Sequence, residues 1–197
     1  MSEKTKLWED VCKTNPKYTK KANVRGNSIT AIAPQYQILQ ATEQWGSYGS
    51  TWGFKQFAIN TDLMGKGMVY GQGIFFYPGG EFPITASISL YRDNAMTKID
   101  QDFAKKLETD ALTKALSKLG FNADIFLGLF DDNKYVQAME EEFKDENKKI
   151  DSWRKASLTL DQFNKTLQAD AKGIKAVLDR FRMTPDQRKQ LETKLNG

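Results

Sequence analysis

The chain contains no histidine and only one cysteine, Cys12, among its 197 residues. Without histidine there can be no Ser–His–Asp triad, no histidine general base and no Cys/His zinc cluster. One cysteine cannot form an internal disulfide, which fits a reducing compartment. We therefore expect Cys12 to be a buried structural residue rather than a reactive one.

Long apolar segments are also missing. The first ten residues, MSEKTKLWED, are polar and unlike a signal peptide. No stretch approaches the roughly 20 apolar residues of a membrane-spanning helix. We therefore expect a cytoplasmic protein with no membrane partner.

Acidic residues are absent from one region, although the net charge of the whole chain is only +4. Between Val11 and Thr42 there is no Asp or Glu, but there are five basic residues, Lys13, Lys17, Lys20, Lys21 and Arg25. A local concentration of positive charge attracts polyanions. The segment therefore predicts nucleic-acid contacts, with Lys20, Lys21 and Arg25 as candidates.

The elements that are present predict an α+β fold. Two strands joined at Arg25-Gly26-Asn27 form a hairpin, and Pro34 begins a helix that continues to about Trp45. Three strand candidates follow at residues 52–62, 68–77 and 81–90, with a bulge near Gln56 and a turn at Pro78-Gly79-Gly80. We expect a twisted antiparallel β-meander packed against one long helix.

That long helix begins near Asp100, a candidate N-cap, and stops at Gly120. Its apolar residues recur at i, i+4 spacing: Phe103, Leu107, Ala111, Ala115 and Leu119. Lys106, Lys114 and Lys118 share another face, with Asp110 between them. These lysines are candidates for DNA contact, but Lys106 and Lys114 could equally pair with Asp110.

Composition changes after residue 130, where glycine becomes rare and the charge is dense and mixed. We therefore divide the chain into a core at residues 1–130 and a helical C-terminal appendage at 131–197. Capping boxes are predicted at Thr159–Gln162 and Thr184–Gln187. An apolar stripe is predicted from Leu160, Phe163, Leu167, Ile174, Val177, Leu178 and Phe181.

Motifs for catalysis or nucleotide binding are weak. Met64-Gly65-Lys66-Gly67 lacks the spacing of a Walker loop, which argues against ATP hydrolysis, and we expect no cofactor. Asp124, Asp131 and Asp132 lie close in sequence and could hold magnesium, although a solvated loop is favoured. Trp45, Tyr48 and Trp52 lie in a Gly-rich segment and either stack on bases or fill the core; for Trp52 we favour the core.

Three segments together resemble the single-strand annealing proteins related to eukaryotic Rad fifty-two, which include the phage proteins Sak, Red-beta, RecT and Erf. They are YTKKANVRGNSITAIAPQYQILQATEQWGSYGSTWGF, GKGMVYGQGIFFYPGGEFPITASIS and DALTKALSKLGFNADIF. The similarity covers about residues 17–125. Their order and spacing are more specific than any one of them.

The resemblance implies a homo-oligomeric ring or filament that binds single-stranded DNA and anneals complementary strands without ATP, in recombination inside a bacterial host cell. By this similarity Lys21 and Lys114 occupy basic positions of the family's inner groove. Lys66 matches a basic residue of its secondary DNA site. Thr113 and Ser117 depart from the pattern, since the relatives carry a lysine and an arginine there. Phage members often use divergent tails to contact partners, so a host single-strand-binding protein or a phage exonuclease is a candidate partner.

Two other functions remain open from the sequence. One is a metal-dependent DNA-processing nuclease that uses Asp124, Asp131 or Asp132, which magnesium-dependent cleavage would reveal. The other is an assembly protein whose basic surface only offsets acidic partners. For that protein, binding to oligonucleotides would show no salt sensitivity.

Overall fold

The structure, a computed structural model, describes residues 3–24, 26–93 and 95–196. In its first part a short helix precedes a hairpin, a second helix, a three-stranded sheet and a long helix. In chain order the elements are α1 (Lys6–Val11), β1 (Thr19–Val24), β2 (Asn27–Ile32), α2 (Pro34–Trp45), β3 (Gly53–Asn60), β4 (Met68–Tyr77), β5 (Gly80–Ser89), α3 (Phe103–Lys118), α4 (Ala123–Phe126) and α5 (Asn133–Glu142).

The predicted hairpin is confirmed. β1 and β2 pair antiparallel, from Thr19 opposite Ile32 to Val24 opposite Asn27 beside the turn. Gly26 has a φ of +86°, which glycine adopts without steric cost. α2 then begins at Pro34, as predicted, because proline loses no hydrogen bond at the first helical position.

The three-stranded meander is also confirmed, with the order β3-β4-β5 and antiparallel pairing throughout. The bulge lies where the sequence predicts it: the register shifts between Lys55 and Ala58, and Gln56 has a φ of 54°. Phe57 beside the bulge packs onto β4. A Cβ added at Gly71 would lie 2.4 Å from its ring, so glycine is required there.

α3 packs on β4 and β5 and closes the core of this part of the chain. Leu107, Ala111 and Ala115 on α3 are fully buried, as the i, i+4 spacing predicts. They pack with sheet residues such as Val69 and Phe75 in two adjoining apolar clusters. Gly120, with a φ of +96°, follows the end of the helix, as predicted.

The predicted N-cap of α3 is wrong. The helix begins at Phe103, and Asp102 occupies the cap position without a side-chain cap bond. Asp100 is instead buried two residues earlier, where its carboxylate accepts the N–H of Asp102 at 3.2 Å. Its main charge partner is Lys106, one turn into the helix.

By its internal contacts the chain forms two compact units, Met1–Glu140 and Glu141–Gly197. The boundary predicted from composition, after Phe130, lies N-terminal to the one between these units. The helices of the second unit are α6 (Lys144–Arg154), α7 (Leu160–Thr166), α8 (Ala171–Arg180) and α9 (Pro185–Asn196).

Both predicted capping boxes form in the second unit. The Gln162 N–H donates to Thr159 Oγ1 at 3.3 Å, and the Thr159 N–H donates to Gln162 Oε1 at 3.0 Å. Thr184 and Gln187 make the same reciprocal pair at 3.2 and 3.0 Å. Each pair satisfies backbone donors that the helix itself cannot.

The predicted apolar stripe closes a small core inside this second unit. Leu158, Phe163, Ile174 and Leu191 are buried at its centre, and the partly buried residues around them include Leu167, Val177, Leu178 and Phe181. Leu160 does not join them, since 68% of its surface is exposed. Because the stripe is covered by helices of its own unit, it needs no outside partner to bury it.

The architecture is therefore α+β with C-terminal helices, as predicted. Among the described residues, no helix combines the length and the apolar character that crossing a membrane requires.

Candidate nucleic-acid interface

A groove of about 550 Å³ lies between the hairpin and α3, and we call it the hairpin groove. One wall is strand β2 with the start of α2, and the other is the middle of α3 with α4. Its lining residues are Ile29, Thr30, Ala31, Ile32, Pro34, Lys105, Lys106, Thr109, Asp110, Thr113, Ile125 and Phe126. The volume falls within the range of roughly 300–1,000 Å³ typical of ligand sites.

Helical geometry explains the α3 wall. Lys105, Thr109 and Thr113 are four residues apart and therefore lie one above another on the helix surface. Neither threonine reaches far from the helix, which leaves room for a ligand beside the Lys105 ammonium. Among the described residues Lys105 makes no ion pair, so its charge is available. The sequence interpretation missed Lys105, because spacing alone does not show which helix lysines remain without an acidic partner.

A second cavity of about 400 Å³ adjoins the hairpin groove, because Ile32 and Pro34 line both. Lys17 and Lys20 lie along this second cavity. Lys20 is exposed and makes no ion pair within the described part of the chain. Each of the two cavities is therefore lined by a lysine that makes no ion pair among the described residues, Lys105 in the hairpin groove and Lys20 in the second cavity.

Lys106 also lines the hairpin groove, but a buried acid holds its charge. Its ammonium donates to Asp100 Oδ2, and Arg92 Nε lies 3.3 Å from the other oxygen of the same carboxylate. The hydrogen bond from Lys106 holds the pKa of Asp100 below its usual range, assisted by Arg92. Because Asp100 is only 6% exposed, separating this pair would leave a buried carboxylate with one cation fewer.

The other two helix lysines do not line the hairpin groove. Lys114 Nζ lies 2.8 Å from Asp110 Oδ2, which is one of the two pairings that the sequence left open. Lys118 lies over the ring of Phe82 at 5.6 Å and lines a separate cavity of about 310 Å³. The three lysines of the predicted face thus have three different surroundings.

The remaining candidates are divided between the hairpin and the sheet. Lys21 Nζ donates to Thr30 Oγ1, a groove residue, at 2.9 Å and lies 3.7 Å from Asp131 Oδ1. Lys66 is exposed in a single turn before β4 and does not line the groove. Arg25 lies outside the described residues.

The aromatic residues proposed for base stacking belong mainly to the core. Trp52 is fully buried, and its indole N–H donates to Gly46 O at 2.9 Å, as favoured from the sequence. Trp45 packs between Trp52, Tyr77 and Phe121. Tyr48 is 45% exposed, but its ring meets Trp52 edge-on with centroids 5.0 Å apart.

The structure does not bring together the three aspartates considered for magnesium, Asp124, Asp131 and Asp132, as a metal site. Asp124 is 3% exposed, and its oxygens accept hydrogen bonds from the Thr14 N–H at 2.7 Å, the Thr14 hydroxyl at 2.6 Å and the Tyr135 hydroxyl at 2.9 Å. Asp131 is turned to Lys21. Among the residues that the structure describes, no three side chains of metal-binding type come together.

Asp124 belongs to a buried polar network that sequence reasoning missed. Asn122, with a left-handed φ of 56°, donates through Nδ2 to Thr14 Oγ1 at 2.9 Å. Its Oδ1 accepts from Gln37 Nε2 at 3.3 Å, and Gln37 Oε1 accepts from the Thr113 hydroxyl at 2.9 Å. The network therefore ties the N-terminal segment, α2 and α4 to a residue of the groove wall.

Cys12 is half-buried rather than buried, contrary to the expectation. Burial raises the pKa of its thiol, and the charge of Asp124 acts in the same direction. A raised pKa keeps the thiol protonated at neutral pH and therefore weakly nucleophilic.

The chain matches no protein-family model, and no curated protein matches it in sequence. The features of this chain that bear on its function are therefore the hairpin groove, the charge pattern and the resemblance of the three segments.

Proposed function

We propose that the protein binds single-stranded DNA and anneals complementary strands without ATP, acting as a homo-oligomeric ring or filament in recombination in a phage-infected cell. The hairpin groove carries this proposal. Its β2 wall is largely apolar, and the groove and the adjoining cavity are lined by Lys105 and Lys20, which make no ion pair among the described residues. A strand with phosphates on one side and bases on the other matches that combination.

The ion pairs around the groove do not oppose this proposal, because most of them are weak. An exposed pair such as Lys114–Asp110 or Lys21–Asp131 contributes only about 0.2–1 kcal/mol. A DNA phosphate can therefore replace the carboxylate at small cost. Lys106 differs, since its partner Asp100 is buried, and we assign it to holding the start of α3.

Annealing suits a site with these properties. It requires that the charge of two polyanions be neutralised and that bases stay accessible, and it forms no covalent bond. Contacts to phosphates carry no sequence information, so binding is expected to be insensitive to sequence. An oligomer places many such sites along one strand, which converts modest local affinity into strong overall binding.

The experiment is a salt titration of binding to mixed-sequence oligonucleotides, measured by fluorescence anisotropy for the wild type, Lys105→Ala and Lys118→Ala. Each phosphate that the protein no longer neutralises makes the log–log salt slope shallower by about 0.7. We expect the salt slope of Lys105→Ala to be shallower than that of the wild type by this amount for each protomer that contacts the strand. Lys118, on the same helix but outside the groove, is the matched control and should leave the slope unchanged.

A flat log–log plot for the wild type would contradict the proposal and favour an assembly protein. A strand-annealing assay without nucleotide, followed by electron microscopy with and without DNA, tests the activity and the oligomer. Adding magnesium to the same DNA separates the main alternative, because cleavage would indicate a nuclease.

We also propose that the second unit binds a host single-strand-binding protein or a phage exonuclease. Since its apolar stripe is covered internally, contact would use exposed apolar residues such as Leu160 and Trp153, which are 68% and 49% exposed. A pull-down with each purified partner, comparing the wild type with Leu160→Asp, tests this. If the wild type and Leu160→Asp capture a partner equally well, the assignment of the contact to that surface is contradicted.

A further inference from the structure

Phe126 is an unusual lining residue of the hairpin groove, because it is a large aromatic side chain that remains 56% exposed. It ends α4, whose other lining residue, Ile125, is half-buried. Exposed phenylalanines are common on protein surfaces, so exposure alone indicates little. The position of Phe126 beside an apolar wall and an unpaired lysine is more specific.

The backbone that carries Phe126 is firmly held. Ala123 and Asp124 of α4 are buried, and Asp124 accepts the three hydrogen bonds from Thr14 and Tyr135 described above. The Leu127 N–H closes the turn by donating to Ala123 O at 2.8 Å. A ring mounted on such a segment loses little conformational freedom when a ligand packs against it.

The groove around Phe126 combines two kinds of chemistry. Ile29 and Ile32 on the β2 side offer apolar surface, while Lys105 on α3 offers a positive charge with no acidic partner in the described chain. A ligand with a flat, weakly polar ring and an attached anion satisfies both. A nucleotide within a single strand has this form, and a base offers a π-face whatever its identity.

We infer that Phe126 stacks on a base of the bound strand, while Lys105 contacts an adjoining phosphate. This inference rests on the proposed function and deepens it, since the groove then holds bases as well as backbone. Affinity should accordingly have a part that depends on the bases and a part that depends on salt. Phe126 should affect only the first part, and Lys105 mainly the second.

The test compares a mixed-sequence oligonucleotide with an abasic oligonucleotide of equal length and charge, for the wild type, Phe126→Ala, Phe126→Leu and Leu127→Ala. The wild type should prefer the base-bearing strand. Phe126→Ala should bind that strand roughly 5- to 150-fold more weakly, the effect of losing one base–aromatic stack, and should largely lose the preference. Its salt slope should not change, because every phosphate remains neutralised as before.

Leu127 is the matched control, since it is adjacent, apolar and 68% exposed but does not line the groove. Equal losses for Leu127→Ala and Phe126→Ala would overturn the inference. So would wild-type affinity and preference in Phe126→Ala. If Phe126→Ala fails to fold, Phe126→Leu decides: it should have a smaller preference than the wild type, and an unchanged preference overturns the inference. Absence of any DNA binding by the wild type would instead refute the proposed function itself.

Discussion

Replacing Thr113 with valine removes one hydroxyl group and almost nothing else. That hydroxyl donates to Gln37 Oε1 at 2.9 Å, and Gln37 is only 1% exposed. The amide of Gln37 is held from the other side, where its Nε2 donates to Asn122 Oδ1 at 3.3 Å. Gln37 therefore cannot turn its oxygen towards water without losing a second hydrogen bond.

The magnitude follows from this geometry. Losing a neutral hydrogen bond costs a net 0.5–1.5 kcal/mol or so, whereas leaving a buried acceptor unsatisfied costs about 1–3 kcal/mol. The second case applies to Thr113→Val, because valine fills the same space without a donor and the Gln37 acceptor itself is only 1% exposed. Thr113→Ser retains the hydroxyl and is the matched control. We expect the free energy of unfolding to fall by about 1–3 kcal/mol for valine and by clearly less for serine.

Urea unfolding followed by tryptophan fluorescence measures this difference. A Trp153→Phe background removes the tryptophan of the second unit, so that the signal reports on the first, which contains Trp8, Trp45 and Trp52. A valine variant within about 0.5 kcal/mol of the parent would refute the reasoning, because that is the scatter of surface substitutions. Equal losses for serine and valine would also refute it.

The same substitution site connects stability with DNA binding. Thr113→Lys supplies the charge that the annealing proteins resembled by this chain carry at this position, and Thr113 lines the hairpin groove, so under the proposed function we expect this substitution to tighten DNA binding. Lysine, however, also removes the donor to Gln37. The effect of Thr113→Lys on DNA binding should therefore be compared with that of Thr113→Val, which loses the same hydrogen bond to Gln37 but adds no charge.

Three further predictions follow from the charges and from the two units. Lys114→Ala should weaken DNA binding, because Asp110 at the groove is then no longer neutralised, and Asp110→Asn should strengthen it; both are measured by anisotropy. Stability should fall with acid below about pH 4, since the hydrogen bond from Lys106 keeps the pKa of Asp100 low and its contribution is lost as pH drops through that lowered pKa. Over this pH range, the urea concentration at the midpoint of unfolding should change less with pH in Asp100→Asn than in the wild type. A chain ending at Phe143, after α5, should stay folded and bind DNA, as judged by circular dichroism and anisotropy; an unfolded product would contradict separate units.

Much of the fold could be predicted because its signals are local. α2 begins at Pro34 and ends at Trp45, and β4 runs from Met68 to Tyr77, all as predicted. Proline at the first helical position, a turn between two apolar runs and strict alternation each act within a few residues. The capping boxes were predictable for the same reason, since both partners are three residues apart.

The errors arose where a residue's role depends on distant partners. Asp100 resembles an N-cap in sequence, but its buried carboxylate instead forms ion pairs with the exposed side chains of Arg92 and Lys106. Leu160 fits the apolar stripe by spacing, yet it lies at the first turn of α7 and remains exposed. In both cases a short-range pattern competes with tertiary contacts, and the contacts decide.

The hairpin groove shows the same limit most clearly. Helical period correctly assigns Lys106, Lys114 and Lys118 to α3, but it gives only the angle of each side chain around the axis. Which carboxylate or ring each one meets depends on segments elsewhere in the chain, such as Asp100 and Phe82. A basic surface is therefore defined by the lysines that tertiary structure leaves unpaired.

If the proposed function holds, the cations of the two cavities most available to a DNA strand are Lys20 and Lys105, since neither makes an ion pair among the described residues. The resemblance to the annealing proteins predicts DNA contacts at Lys21 and Lys114, and each of these lysines has an exposed acidic partner. An exposed carboxylate and a phosphate compete for the same ammonium at nearly equal cost. Under the proposed function, the paired lysines can therefore join the interface once a strand, attracted first by Lys20 and Lys105, has entered the groove.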